Sequence, residues 1–348
     1  MKTGILLLNL GTPDAPRTPE VRRYLREFLS DARVIDVPAP VRFALVNGII
    51  APFRAPRSAK AYAKVWTDEG SPLLVYGKAL KAGIAERLPE HEVALGMRYG
   101  TPSTRSGLEE LLAKGCDRIL VAPLYPHYAS SSTGTALECA YAAAGELWNA
   151  PQLVSLPPFY DAPEFVEALA AVARPVLDEL QPDHVLFSYH GLPERHCQKS
   201  APDSRCLRRE DCCAELVDEN RHCYRAQCFA TSRALRSILD LPEERCTTSF
   251  QSRLGRDPWI KPYTDHEVES LGKSGVKRLA VFCPSFVADC LETLEEIGME
   301  AEEEFRAAGG ERLALIPGLN DHPVWMDGLA QLLRAALAGE AAPAPATR

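Results

Sequence analysis

"FSYHGLP" (Phe187–Pro193) is an apolar strand that stops on a histidine and a Gly-x-Pro turn, and "LLNLGTP" (Leu7–Pro13) repeats that figure near the start of the chain. A second pair follows the same rule: "GCDRILVAP" (Gly115–Pro123) and "GVKRLAVFC" (Gly275–Cys283) each carry a helix-ending glycine into an apolar strand. Strands that are apolar on both faces and separated by helices mark a parallel sheet covered on both sides. The pattern predicts an α/β fold of two similar Rossmann-like domains, each a parallel sheet flanked by helices, with the active-site cleft between them.

Further apolar runs complete the two halves. Strands are expected at Gly4–Leu10, Glu92–Leu95, Arg118–Pro123, Gln152–Ser155, His184–Ser188, Thr247–Gln251, Leu279–Cys283 and Arg312–Ile316. Helices are expected at Val21–Ser30, Gly77–Leu88, Ser106–Lys114, Glu164–Leu180, Ala230–Leu239 and Phe286–Ala307. The expected N-terminal domain covers 1–155 and includes an apolar lip; the C-terminal domain covers 156–320 and includes a cysteine-rich insertion at 195–228. A C-terminal helix over 321–338 is expected to pack back on the first domain, followed by an Ala/Pro-rich disordered tail at 339–348.

At 348 residues the chain is long enough for two domains, and 46% hydrophobic residues supply an ordinary core. A net charge of −8 argues against a nucleic-acid partner, which needs a concentrated basic face. "MKTGILLLNLGTPD" stops at a turn and reads as a buried first strand rather than a leader. No apolar run approaches the roughly 20 residues that span a bilayer. A cytoplasmic protein is expected, where disulfides are disfavoured. Yet there are eleven cysteines, six of them between Cys197 and Cys228, which points to metal or redox chemistry.

The motifs gather at strand ends, where such folds bind ligands. His190 closes its strand and can serve as a base or a metal ligand, because a neutral imidazole is available near pH 7; a hydrogen-bonded turn histidine would look the same. In "CPSFVADCLETLEEIGMEAEEEF", Asp289, Glu292, Glu296, Glu300 and Glu303 recur every three or four residues, one acidic stripe on a helix. A charge run is usually a solvated face, but this one starts at a strand end and could receive a divalent cation and carry protons away. Trp259 and Tyr263 on the loop Phe250–Asp265 could wall a flat ligand or simply anchor the loop. Arg54, Arg57 and Lys60 beside apolar surface suit a ligand with carboxylate edges, since arginine grips carboxylates bidentately.

"LLLNLGTPD", "RYLREFLSD", "APRSAKAY", "GSPL", "GMRYGTPS", "LYPHYASSSTG", "SYHGLPERH", "FQSRLGRDPWIKPYTD" and "CPSFVADCLETLEEI" occur in this order. Together they resemble the ferrochelatase family from about residue 3 to 330. The resemblance implies a chelatase-type fold and a lyase that inserts Fe²⁺ into protoporphyrin IX, the last step of haem synthesis, with release of two protons. It places the family's histidine on His190 and its glutamate on Glu292, as catalytic residues that also meet the ferrous iron. Asp289 and Glu296 continue a proton or metal path. Porphyrin contacts fall on Arg54, Arg57, Tyr62, Ser71, Arg98, Tyr125, Trp259 and Phe286. Leu10 lies on the same list but offers no axial ligand, standing where some members have methionine or tyrosine. Val37–Pro52 matches a lip that can rest on a membrane surface, a peripheral contact with the inner face of the membrane. The competing readings are a chelatase for coproporphyrin III or sirohydrochlorin, and a catalytically silent porphyrin or redox sensor.

The cysteine segment has no counterpart in the shorter bacterial members. Cys228 does have one, which leaves Cys197, Cys206, Cys212, Cys213 and Cys223 as five thiols for four coordination places. The adjacent pair Cys212–Cys213 is the natural source of the spare. A polar insertion without its own core gains stability from a metal. Some ferrochelatases carry a 2Fe–2S cluster on four cysteines, and the paired Cys-x-x-Cys knuckles of zinc ribbons are absent here, so the expected cofactor is a 2Fe–2S cluster, with zinc the alternative.

Overall fold

Each expected apolar run is a strand in the computed structural model, which describes residues 2–201, 206–207, 209, 211–255 and 257–339. The strands are β1 (Thr3–Thr12), β2 (Glu92–Gly100), β3 (Arg118–Pro123), β4 (Gln152–Ser155), β5 (His184–His190), β6 (Cys246–Gln251), β7 (Arg278–Phe282) and β8 (Arg312–Leu315). They form two four-stranded sheets, ordered β2-β1-β3-β4 and β6-β5-β7-β8. All pairings are parallel. The two orders are the same order, so the sequence echo is a repeated topology. Even the strand ends repeat: the Met97 amide donates to the Pro102 carbonyl at 2.7 Å, and the Phe250 amide to the Pro262 carbonyl at 2.8 Å.

The helices are α1 (Thr18–Leu29), α2 (Ala39–Ala44), α3 (Ala51–Val65), α4 (Pro72–Arg87), α5 (Thr104–Ala113), α6 (Thr135–Gly145), α7 (Pro163–Leu180), α8 (Glu194–Ser200), α9 (Tyr224–Ile238), α10 (Thr264–Lys273), α11 (Leu291–Leu294), α12 (Glu302–Ala307) and α13 (Pro323–Ala338). Wide π-helical turns at Leu45–Ile50, Ser130–Gly134 and Glu296–Ala301 connect some of them. The chain divides into two units. Of the described residues, one holds 2–125, 129–157 and 329–339; the other holds those within 126–128 and 158–328. Thus α13 starts in the second unit and ends in the first, where Arg118 donates to the Leu337 carbonyl at 3.1 Å and Arg334 to the Arg87 carbonyl at 2.6 Å.

In the first unit, Leu6, Leu8, Ile119 and Val121 of the sheet bury against Leu108 and Leu111 of α5 and Ala136 and Ala140 of α6. In the second, Leu186, Leu279 and Val281 bury against Val268, Ile297 and Phe305. Each leucine, isoleucine, valine or phenylalanine among them contributes about 1.5–3 kcal/mol through burial. Among the described residues no helix is long and apolar enough to cross a membrane.

Three helices differ from expectation: α4 starts at Pro72, five residues before the expected Gly77, and two others depart further. The helix expected from Ala230 starts six residues earlier, at Tyr224, with Cys223 as its N-cap. The single helix expected over Phe286–Ala307 is broken: helical backbone begins at Leu291, and the π-helical segment intervenes before α12. The physical reason is local. Asp289 is held outside the helix by Asn320 and Gly318, and Cys290 is extended, at φ −148° and ψ −170°. The expected tail lies, from residue 340 onward, outside the described residues.

Candidate active site

In the second unit the carboxyl end of β5 carries His190 directly opposite Gln251 of β6. The loop that follows is knitted to the β6–α10 loop: the Gly191 amide donates to the Gln251 carbonyl at 2.7 Å, and the Ile260 amide to the Leu192 carbonyl at 2.9 Å. A side chain at Gly191 would put its Cβ 2.7 Å from that carbonyl oxygen and 3.1 Å from Trp259 Cε3, so only glycine fits beneath the indole. Trp259 is buried, and its Nε1 donates to the Leu254 carbonyl at 3.0 Å. The loop is therefore rigid around the histidine.

The His190 ring is half-buried, with Nδ1 2.7 Å from the Gly191 carbonyl. A carbonyl only accepts, so Nδ1 bears the proton and the neutral ring carries its lone pair on Nε2. Phe286 stands 6.1 Å from the imidazole, centroid to centroid, with the planes at 63°.

Glu292 lies in the first turn of α11. Its backbone is tied to the β5–β6 pair, because Gln251 Nε2 donates to the Glu292 carbonyl at 2.9 Å while Gln251 Oε1 accepts from Ser188 Oγ at 2.7 Å. Gln251 therefore brings the glutamate's helix to the histidine's strand. Glu296 Oε2 accepts from Ser252 Oγ at 2.5 Å. Asp289 is buried, and its carboxylate collects Thr293 Oγ1, the Gly318 amide and Asn320 Nδ2. That is an anchor's set of contacts.

The remaining candidates belong to the first unit. Arg54 and Arg57 lie exposed on α3, with Tyr62 buried on the same helix. Ser71, the N-cap of α4, accepts from Thr12 Oγ1 at 2.8 Å. Leu10 is half-buried near the end of β1. Tyr125 follows β3, and its hydroxyl is buried with no hydrogen-bond partner among the described residues. Arg98 is engaged rather than open: its guanidinium reaches Asp31 at 2.5 Å and Thr135 Oγ1 at 2.6 Å. Burial pushes the Asp31 carboxyl up. The Thr135 hydrogen bond, the Arg33 amide, the Tyr99 hydroxyl and the Arg98 charge outweigh it and hold the carboxyl below its usual range.

In the cysteine segment, Cys197, Cys206, Cys213 and Cys223 are buried and Cys212 is half-buried. The four buried thiols couple in a row. Contact with Cys197 is the largest influence on Cys206, contact with Cys206 on Cys223, and contact with Cys223 on Cys213. Cys206, Cys213 and Cys223 are raised by this crowding, Cys206 to about 12 and Cys223 to about 11. Cys212 meets the row at Cys213, at 3.6 Å between sulfurs. A cavity of about 420 Å³ opens beside Cys206, Cys212 and Cys223. Among the described residues, no three His, Cys, Asp or Glu side chains are arranged around one metal ion.

Sequence reading missed Gln251, Asp31 and His127. All three lie in quoted motifs, but their importance comes from partners far along the chain. His127 is buried against Tyr160, Tyr189 and Tyr224, with Nε2 2.9 Å from Thr231 Oγ1.

Comparison with known proteins bears on this arrangement. The ferrochelatase family model matches residues 2–337. A ferrochelatase of Coxiella burnetii (strain CbuG_Q212) is 47% identical over 337 residues, covering 97% of this chain and 94% of that protein. One from Legionella pneumophila (strain Lens) is 47% identical over 336 residues, covering 96% and 99%. Among solved structures, SirB from Bacillus subtilis with Fe³⁺ shares the fold at a TM-score of 0.56 and 12% identity, covering 97% of each chain.

Proposed function

The chain belongs to the ferrochelatase family, and from that membership we propose that it inserts ferrous iron into protoporphyrin IX, giving protohaem and two protons. It is an enzyme of the lyase class. The identity of 47% to ferrochelatases, against 12% to SirB, disfavours the sirohydrochlorin reading.

The chemical obstacle is that a hydrated cation must enter a flat ring whose pyrrole protons must leave. Two side chains with proton-accepting atoms answer it. His190 presents the Nε2 lone pair, fixed by the Nδ1–H bond to Gly191, and Glu292 supplies a carboxylate. The observation that carries this assignment is Gln251, opposite His190 in the ladder and bonded to the Glu292 carbonyl at 2.9 Å. General acid–base groups typically contribute about 10²–10⁴-fold. Glu296 continues the acidic route outward, and Asp289 anchors its start. Phe286 and Trp259 give the histidine an apolar, rigid surround. Arg54 and Arg57 meet the propionates, while Tyr62, Ser71, Arg98, Tyr125 and Leu10 line the porphyrin's place.

The lip is assigned to a lipid surface. Val41, Phe43 and Ile49 of the lip, and Phe53 just beyond it, are exposed between 55% and 78%, and apolar side chains on a helical surface gain by entering the headgroup boundary.

The cysteine row is assigned to a 2Fe–2S cluster. What supports it is the crowding itself: hydrogen bonding to a neighbouring thiol raises Cys206, Cys213 and Cys223, a penalty that bound metal cations would remove. Cys197, Cys206, Cys213 and Cys223 would hold it, with Cys212 spare. When bound it supplies folding stability to a segment with little apolar material; metallation itself transfers no electrons.

The decisive test is His190→Ala, with metallation followed by the loss of porphyrin fluorescence. Porphyrin should still bind while metallation disappears. Near-normal turnover in a folded variant would overturn the assignment of His190.

A further inference from the structure

His190 stands where its ladder is incomplete. β5 runs beside β6 as far as His190↔Gln251, but beside β7 only as far as Phe187↔Phe282. Side chains take over the main-chain groups of His190. Its amide donates to Ser285 Oγ at 3.3 Å, and its carbonyl accepts from Tyr224 Oη at 2.8 Å. Tyr224 Oη and Ser285 Oγ are 2.9 Å apart. The protons can be assigned in only one consistent way. The phenol gives its hydrogen to the His190 carbonyl, so the serine hydroxyl gives its own to the phenol and receives the His190 N–H. Three donors and three acceptors close a ring, in which each bond polarises the next.

The ring leaves the imidazole nitrogens alone and fixes the backbone beneath them. Since Nδ1 is itself held by the neighbouring main-chain carbonyl of Gly191, the aim of Nε2 depends on the placement of this peptide. We infer that Tyr224, acting with Ser285, is a positioning residue for His190. This rests on the reading of His190 as the reacting histidine. Tyr224 is buried and opens α9 immediately after Cys223. The clamp thus sits where the cysteine segment joins the catalytic strand.

The test uses full-length Tyr224→Phe, Ser285→Ala and Ser285→Thr. Two readouts are taken: steady-state metallation, and ¹⁵N NMR of histidine-labelled protein, with the His190 ring signals identified by their loss in His190→Ala. Tyr224→Phe should lower kcat by about 10-fold or more, with KM for porphyrin changed by less than about twofold. It should also displace the His190 ring signals. Ser285→Thr keeps the hydroxyl and should behave as the parent, whereas Ser285→Ala should not. A folded Tyr224→Phe with parental kcat and unmoved His190 signals overturns the inference. If Tyr224→Phe does not fold, equality of Ser285→Ala and Ser285→Thr in both readouts overturns it instead. Should His190→Ala prove active, the reading of His190 falls, while displaced ring signals in Tyr224→Phe would still support the clamp.

Discussion

Asp289 and Asn320 hold each other from both sides: the Asp289 amide donates to Asn320 Oδ1 at 2.8 Å, and Asn320 Nδ2 donates back to the Asp289 carboxylate at 2.7 Å. With Thr293 and the Gly318 amide also donating, the carboxylate is an acceptor for three groups at once. Asp289→Asn would set an NH₂ group among those donors. Leaving buried partners unsatisfied costs about 1–3 kcal/mol, so the urea midpoint should fall clearly. Full stability with a large loss of kcat would instead make Asp289 a proton carrier.

Glu292 and Glu303 share an acidic sequence run but not an environment. Glu292 is half-buried on the turn tied to Gln251, whereas Glu303 is exposed on α12. Glu292→Gln should lower kcat by about 10²-fold or more, and Glu303→Gln should leave it nearly unchanged. Equal effects would reduce Glu292 to ordinary surface charge.

His127 predicts how the fold responds to acid. Burial pushes its imidazole down from 6.5 to about 3. Below pH 6.5 the unfolded chain takes up a proton that the folded chain refuses, so this histidine's contribution is complete above 6.5 and is lost as pH falls toward 3. The slope is at most about 1.4 kcal/mol per pH unit. Stability to urea should therefore drop less between pH 7 and pH 5 in His127→Gln than in the parent. Identical drops would mean that His127 is protonated in the fold.

The sheets were legible because parallel strands buried on both faces read as plain apolar runs, whatever their partners. Their common order was foreshadowed by the paired Gly-x-Pro ends. The acidic stripe misled in one respect. Spacing of three and four residues implied one helix from Phe286, but nothing in that spacing announces that Asn320, on the far side of β8, pulls Asp289 out of helical conformation. The His190–Tyr224–Ser285 ring was equally invisible. Two of its members lie in quoted motifs and Tyr224 in the cysteine segment, and only folding brings them within hydrogen-bonding distance. Arg98 was legible as important but not as the partner of Asp31, for the same reason.

The cysteine row makes the sharpest compositional prediction. Cys197, Cys206, Cys223 and Cys213 contact one another in succession and are all buried, whereas Cys212 is half-buried and meets the row at Cys213. Thiolates so close together would repel, and the irons of a 2Fe–2S cluster held by these four cysteines would supply the compensating charge. Anaerobically purified protein should be reddish-brown, with about two irons and two sulfides per chain. Serine at Cys197, Cys206, Cys213 or Cys223 should abolish the visible absorption and lower the melting temperature, while Cys212→Ser should keep both. A colourless, active protein with one zinc per chain would show that the row serves a different metal. Loss of colour in Cys212→Ser alone would show that the spare thiol is the adjacent Cys213.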